Sequence, residues 1–215
     1  MDNLKRLDFN QIDAMDHRFR AMFVNSLTGF KSVALIGTKS LKGEENLSIV
    51  NSIVHIGSHP PLIGFFCRPR SVERHTIENM IQSGCYSINQ IKESFFEKAH
   101  QTSARYPRSV SEFEATGLTP IYKGDLNAPF VAESHVQIGM YFKEQIHISL
   151  NDTVLLIGEV RDVYFPESIL EEDGYLNIEK AGTISWCGLD SYHTTNRIGR
   201  MQYAKVNLPP SRIES

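Results

Sequence analysis

Three arginines stand close together just ahead of a segment with the marks of a helix start. Arg68, Arg70 and Arg74 precede Thr76, a residue type that caps helices, and the apolar residues Ile77, Met80 and Ile81 follow at helical spacing. Arginine forks and the free N–H groups of a helix start together bind phosphate. The same pattern also fits a solvated charged loop, because surface arginines are common and their ion pairs contribute little.

The chain before these arginines could hold the remainder of a phosphorylated ligand. Residues 46–56 and 62–67 are apolar, strand-like runs, and Pro60-Pro61 interrupts them because proline cannot donate to a strand ladder. A planar cofactor needs an apolar wall and a few backbone donors and acceptors at its ring edge. We therefore expect the functional site between residues 46 and 76.

The sequence does not match the common phosphate-loop, dinucleotide-binding, hydrolase or metal-binding motifs. Residues 37–43 contain Lys-Gly where a phosphate loop requires Gly-Lys, no GxGxxG follows a strand, and no GxSxG elbow is present. His55 and His59 are four residues apart, but Gly57 and the prolines after it argue against a helix that would bring them together on a metal. No metal site is predicted.

Composition narrows the class of protein further. The 215 residues are 41% hydrophobic and 22% charged, with a formal net charge of -3, so neither nucleic acid nor a membrane surface is an expected partner. Three cysteines without CxxC spacing favour a reducing compartment. Since the N-terminus has no apolar signal region and no run is long enough to span a membrane, we expect a cytoplasmic protein of one domain, residues 1–215.

Hydrophobic periodicity predicts a mainly β protein with peripheral helices. Expected elements are a helical arm (1–27), strands (31–38, 46–56, 62–67, 85–88), a helix from Thr76 to Gly84, two helical pieces (93–117), a hairpin (136–150) turning at 143–145, and a strand (153–165). Residues 109–112 should form the capping box of the second helical piece. Many strands with few helices between them favour an antiparallel barrel or sandwich.

Several blocks of residues resemble the signature of flavin reductase-like proteins over nearly the whole chain. They are Asn46-Leu47-Ser48, Asn51-Ser52, Ser58-His59-Pro60-Pro61, Arg68, Arg74-His75-Thr76 and Asn79-Met80, with Thr38 and Gly43 before them and Glu112-Phe113, Gly117-Leu118 and Glu133-Ser134 after them. The chain departs from the family pattern at Ser48-Ile49, where Ala-Pro is frequent, and at His75, where Asp is frequent.

The resemblance implies an FMN-binding split β-barrel, an antiparallel six-stranded Greek key that forms a homodimer with FMN at the interface. It implies flavin reductase chemistry, with a nicotinamide nucleotide as electron donor. By the same resemblance, the cofactor-binding residues are Thr38, Asn46, Leu47, Ser48, Asn51, Ser52, Arg68, Arg74, His75 and Thr76. No catalytic residue is predicted, because the flavin carries the redox chemistry.

Two alternatives share this fold. The protein could be an FMN-binding electron-transfer or carrier protein that turns over no nicotinamide, or a split barrel that has lost its flavin and serves as a binding protein. The sequence does not choose between NADH and NADPH.

Overall fold

A computed structural model describes residues 4–68 and 75–213 of the chain. Within those residues the helices are α1 (Phe9–Asp13), α2 (His17–Leu27), α3 (His75–Ser83), α4 (Phe96–Gln101) and α5 (Glu112–Thr116), with 3-10 turns at Glu93–Phe95 and Glu167–Ile169. The strands are β1 (Lys31–Ser32), β2 (Ala34–Lys39), β3 (Glu45–Val50), β4 (Ile53–Ser58), β5 (Pro61–Cys67), β6 (Cys85–Gln90), β7 (Pro120–Ile121), β8 (Phe130–Val131), β9 (Gln137–Ile148), β10 (Thr153–Tyr164), β11 (Ser185–Cys187) and β12 (Ser191–His193).

One antiparallel sheet of seven strands dominates the fold, in the order β3-β2-β6-β9-β10-β5-β4. In a flat sheet the outermost strands would be about 29 Å apart. Val50 of β3 and Ile53 of β4 nevertheless pack on the same core, which also includes Phe65, Tyr86 and Leu156. The sheet therefore curls into a barrel whose wall is split between β3 and β4, which confirms the predicted mainly β split barrel.

The strand β2 is buried on both faces because it separates two apolar clusters. Ala34 and Ile36 point into the barrel core, whereas Leu35 packs on the other side with Leu47 and Phe113, beneath the helices. This alternation follows from the two-residue period of a strand. It places β2 and β3 between the barrel interior and the peripheral helices, which is where the predicted site residues lie.

The segment 46–56 forms two strands rather than the single strand expected. The chain turns at Asn51-Ser52, and the Ser52 hydroxyl donates to the Phe66 carbonyl (2.8 Å) and accepts from the Phe66 N–H (3.2 Å). These bonds hold the corner against β5, on the neighbouring part of the sheet. The sheet consequently holds seven strands instead of six, and the Pro60-Pro61 segment forms the tip of the β4–β5 hairpin.

The expected turn at 143–145 was wrong. The strand β9 runs through it, and the register with β10 passes from Ile157–Glu144 to Gly158–Phe142, leaving Lys143 in a bulge. A bulge absorbs one extra residue without ending the strand, so the alternation breaks in the sequence while the pairing continues. The chain reverses later, between Ile148 and Thr153, where Asp152 has a φ of 58°.

The helices fit most of the expectations. The N-terminal arm forms α1 and α2, and Gly84, with a φ of +72°, follows the end of α3. Thr76 lies inside the first turn of α3 rather than capping it, because the helix already begins at His75. No helix in the described residues is both long and apolar enough to cross a membrane.

Candidate functional site

Four buried polar side chains meet where the start of α3 covers β2 and β3. The Asn46 amide donates to the Thr76 hydroxyl oxygen (2.9 Å), and the Asn79 amide donates to that of Thr38 (3.2 Å). Thr38 and Asn46 are directly opposite in the β2–β3 ladder, and Thr76 and Asn79 are three residues apart on α3, so each pair shares a face. We call these four residues the polar cluster.

The polar cluster has unused hydrogen-bonding capacity. Each threonine oxygen accepts an amide N–H, and within the described part of the chain neither hydroxyl proton has an acceptor. The Asn79 Oδ1 atom is buried and likewise has no partner among the described residues. Unpaired buried polar atoms cost free energy. The two hydroxyl protons suit a ligand oxygen that accepts, whereas the Asn79 Oδ1 atom suits a donor.

A narrow recess adjoins the polar cluster and brings charged residues to it. The recess, about 10 Å³, is bordered by Asn46, His75, Asn79, Arg108 and Glu112, among others. That is room for roughly one water molecule. Arg108 lies at the border of this recess, where its guanidinium contacts Glu78 and lies 3.9 Å from Glu44. Arg108 is therefore a cation at this site, held by two carboxylates that an anionic ligand would compete with.

Glu112 connects the site to the edge of the sheet. Its side chain is buried, and its carboxylate accepts the Leu47 N–H at 2.9 Å. Burial raises the pKa of Glu112, although the bond from Leu47 acts in the opposite direction. The capping box expected at 109–112 does not form: Ser111 occupies the cap position without a side-chain bond, and the Glu112 carboxylate turns to β3 instead.

Among the described residues, no strand pairs with the outer side of β3, and the Glu112 carboxylate bonds to that side at Leu47. Because Leu47 points its N–H away from β2, the alternation of an antiparallel ladder directs the N–H and C=O of Ile49 to the same open side. Ser48 and Asn51 are half-buried along this edge, which leads to the split in the barrel. Backbone groups of this kind can bind the edge of a planar ring.

The structure brings together only part of the predicted site. Thr38, Asn46, His75 and Thr76 lie at the polar cluster or its recess, with the Leu47 backbone beside them. Ser48, Asn51 and Ser52 follow the strand toward the split, and Ser52 holds Phe66. Arg68 is exposed at the end of β5. Arg74, like Arg70, lies outside the described residues.

Sequence reasoning missed three residues of this site. Asn79 and Glu112 stand in blocks that carry the family resemblance, but no spacing rule links either of them to Thr38 or Leu47. No sequence pattern points to Arg108, because its partner Glu78 lies 30 residues earlier in the chain. His55 lies on β4 and His59 on the turn after it, and no group of three metal-ligating side chains occurs within residues 4–68 and 75–213.

Comparison with known proteins assigns the family. The flavin reductase like domain model matches residues 30–183. The chain belongs to that family. A similar solved structure is a split-barrel-domain protein from Shewanella frigidimarina NCIMB 400, proposed to be a flavin reductase, with 46% identity, coverage of 93% of this chain and 100% of that one, and a TM-score of 0.90.

More distant structures share the fold of this family member. Nitrilotriacetate monooxygenase component B from Bacillus cereus is 21% identical, with coverage of 95% of this chain and 100% of that one and a TM-score of 0.80. Flavoredoxin of Desulfovibrio vulgaris (Miyazaki F) is 22% identical, with coverage of 83% and 92% and a TM-score of 0.69. At these identities the likeness is one of fold.

Proposed function

We propose that this protein is an FMN-dependent NAD(P)H:flavin oxidoreductase that works as a homodimer. Membership of the flavin reductase like domain family supports a flavin-related oxidoreductase. The observation that carries the proposal is the polar cluster, whose buried hydroxyl donors lie at the first turn of α3 beside the open edge of β3. Such an arrangement fits a ligand with an anionic end and a planar end.

The phosphate of FMN would bind at the start of α3. The hydroxyls of Thr38 and Thr76 can donate to phosphate oxygens, and the first turn of a helix offers unpaired N–H groups and positive potential. Arg108 can exchange its exposed carboxylate partners for phosphate, which would add a charge-assisted bond. Arg68 and Arg74 remain part of the proposal as further cations.

The ring of FMN would lie along the open edge of β3. The Ile49 backbone can bind the polar edge of the ring, and Ser48 and Asn51 flank it on the way to the split. Bound FMN would supply the chemistry, a ring that accepts a hydride and passes on electrons. The chain's part is to orient the ring and exclude water from it, so no side chain is assigned as an acid or base.

The electron donor in this proposal is a nicotinamide nucleotide. With no GxGxxG fingerprint in the chain, the nucleotide would reach the ring from the open side of the cleft and make few contacts of its own. The thiols of Cys85 and Cys187 suit a reducing compartment such as the cytoplasm, which is the proposed location.

Two surfaces support the proposed homodimer. The first is an apolar sheet face formed by Val54, Ile56, Phe66 and Ile146, each more than a third exposed, on neighbouring strands. Monomeric proteins rarely expose contiguous apolar surface of this kind. A second copy of the chain would cover it.

The second surface is the C-terminal loop, residues 196–213. Arg200 fixes its base, because the guanidinium bonds to Glu171 (2.6 Å) and lies over the Tyr175 ring (4.1 Å). The loop closes on itself through Gln202 and Ser211 (3.0 Å), yet Tyr203 is 94% exposed. The loop has four basic residues and no acidic one, in a chain that carries 25 acidic residues. An ordered basic loop with exposed apolar side chains suits docking on the acidic surface of a second copy.

Titration with two flavins tests the cofactor assignment. We expect FMN to bind at least about tenfold more tightly than riboflavin, because a charge-assisted phosphate bond contributes about 1.5 to 3 kcal/mol. Thr76→Val should lower that preference, because it deletes one of the hydroxyl donors to the phosphate. Thr28→Val, at the exposed end of α2, is the matched control and should leave it unchanged. Equal affinity of the wild-type protein for FMN and riboflavin would contradict the site.

A further inference from the structure

A wide concavity in the described part of the protein lies away from the polar cluster and shares none of its residues. Its volume is about 630 Å³, and it is formed by the end of β10 and the 3-10 turn after it, the start of β9, and Lys123. Cavities of roughly 300 to 1,000 Å³ are the usual size for small-molecule sites. The proposed flavin chemistry makes no use of it.

The floor of this cavity is apolar and partly aromatic. Val163, Phe165 and Leu170 contribute apolar surface, and the side chains of Val163 and Leu170 are exposed. Tyr164 adds an aromatic ring that is held from behind by an edge-to-face contact with Phe130, with centroids 5.5 Å apart. A flat, apolar ligand body would pack against this floor.

One rim of the cavity carries a cation that buried side chains hold in place. The Lys123 ammonium donates to Gln137 Oε1 (2.6 Å) and lies 4.8 Å from the centroid of the Tyr164 ring. Gln137 is buried, and its amide nitrogen donates to the carbonyls of Val131 (2.6 Å) and Ser134 (3.1 Å), which fixes Oε1 toward the lysine. Lys123 is thus oriented by a rigid acceptor rather than by a carboxylate.

A second cation stands beside the same cavity. Lys92 Nζ lies 2.8 Å from His135 Nε2, and because an ammonium can only donate, that imidazole nitrogen accepts. Within residues 4–68 and 75–213, neither Lys92 nor Lys123 has a carboxylate within 4 Å. The opposing charge at the lining is Glu167, which is exposed in the turn after β10.

We propose that this cavity binds a small aromatic carboxylate. The ring would lie on the apolar surface of Val163, Phe165 and Leu170. The carboxylate would bind the Lys123 ammonium, with Lys92 and His135 adding positive potential and a donor. A singly charged head group fits better than a phosphate, because the rim offers ammonium groups without an arginine fork or a helix start, and Glu167 opposes a second negative charge. The proposal does not depend on the flavin site.

Calorimetric titration of the purified full-length protein with three probes tests the ligand class. Benzoate should bind saturably, whereas benzamide, which has the same shape without the charge, and acetate, which has the charge without the ring, should each bind at least about tenfold more weakly. Benzamide affinity equal to that of benzoate would overturn the proposal, and so would the absence of saturable benzoate binding. For protein that holds FMN, release of FMN into a protein-free filtrate on addition of benzoate would also overturn it, since the two ligands would then share a site.

Three variants test the residues. Lys123→Met should weaken benzoate binding about tenfold, and Glu167→Gln should tighten it by removing the opposing charge. The matched control is Lys143→Met, because Lys143 lies on β9 and pairs with Glu159 at 2.6 Å, outside the cavity lining. Affinity unchanged in both Lys123→Met and Glu167→Gln, or lowered equally in Lys143→Met, would overturn the assignment.

Discussion

At the scale of single residues, Glu112 links helix α5 to strand β3 at the candidate site. It is a buried carboxyl that accepts the Leu47 N–H from the open edge of β3, and burial raises its pKa. An acid with a raised folded-state pKa is ionised more easily in the unfolded chain. Its contribution to stability is therefore fully present below the ordinary carboxyl value of 4.5 and is lost as the pH rises from there through the raised pKa.

Glu112→Gln tests this sign. Glutamine keeps an acceptor for Leu47 but cannot ionise, so the variant should gain unfolding free energy relative to wild type as the pH rises, with the difference levelling off above the raised pKa. Urea unfolding from about pH 4 to about pH 8 measures it, spanning the carboxyl range. Glu114→Gln, exposed on the same helix, is the control. A gain that shrinks with rising pH would mean that the fold favours the ionised form of Glu112.

Tyr86 offers a second test at this scale. Its side chain is fully buried in the barrel core, and its hydroxyl has no partner among the described residues. Removing an unpaired buried hydroxyl removes a desolvation cost, so Tyr86→Phe should raise the unfolding free energy by about 1 kcal/mol or more. Tyr192→Phe is the opposite control, because the Tyr192 hydroxyl bonds to His100 Nδ1 at 2.9 Å and its loss should destabilise. Destabilisation by Tyr86→Phe as well as by Tyr192→Phe would show that the Tyr86 hydroxyl does have a hydrogen-bond partner.

The site residues show what the sequence can and cannot predict. Thr38, Asn46 and Thr76 were identified through the family resemblance, and the structure brings them together. No local pattern could supply the partners, because the register of β2 against β3 and the packing of α3 across them are tertiary properties. Arg108 reaches the site only through this tertiary packing, so the sequence did not predict it.

At the scale of elements, local patterns succeeded where periodicity was unbroken. The strands β6 and β10 and the helix α3 were predicted within two residues of their ends. The expectations for β3 and β9 failed for opposite physical reasons. The corner at Asn51-Ser52, which bonds to Phe66 of β5, divides one apolar run into β3 and β4. The bulge at Lys143 instead lets β9 continue through a break in the alternation.

The C-terminal loop carries the prediction at this scale. Replacing the exposed Tyr203 and Val206 by serine should weaken the dimer without changing the protomer, because these side chains are not packed in the described chain. Light scattering over a dilution series should show monomer appearing at higher protein concentration than in wild type. Leu41→Ser, at another exposed apolar side chain on the β2–β3 turn, should have no such effect. A double variant that dissociates like wild type would exclude the loop from the interface.

At the scale of the whole molecule, the sequence predicted the mainly β split barrel. Alternating strands with few helices between them indicated an antiparallel barrel or sandwich, and the family blocks selected the split barrel. The strand order was beyond this reasoning, because the chain passes from β5 to β6 across the fold by way of α3, and no local signal encodes which strands then become neighbours. That crossover is what sets the start of α3 against β2 and β3.

Anaerobic stopped-flow mixing tests whether a nicotinamide nucleotide reduces the bound FMN, as we propose. Both NADH and NADPH should bleach the flavin absorbance, with modest discrimination between them and a KM toward the upper end of the usual range, roughly 0.1 to 1 mM, because the nucleotide would make few contacts of its own. Dithionite serves as the control that the bound flavin can be reduced. If dithionite bleaches the flavin and neither nucleotide does, the reductase assignment is wrong and the electron-transfer alternative takes its place.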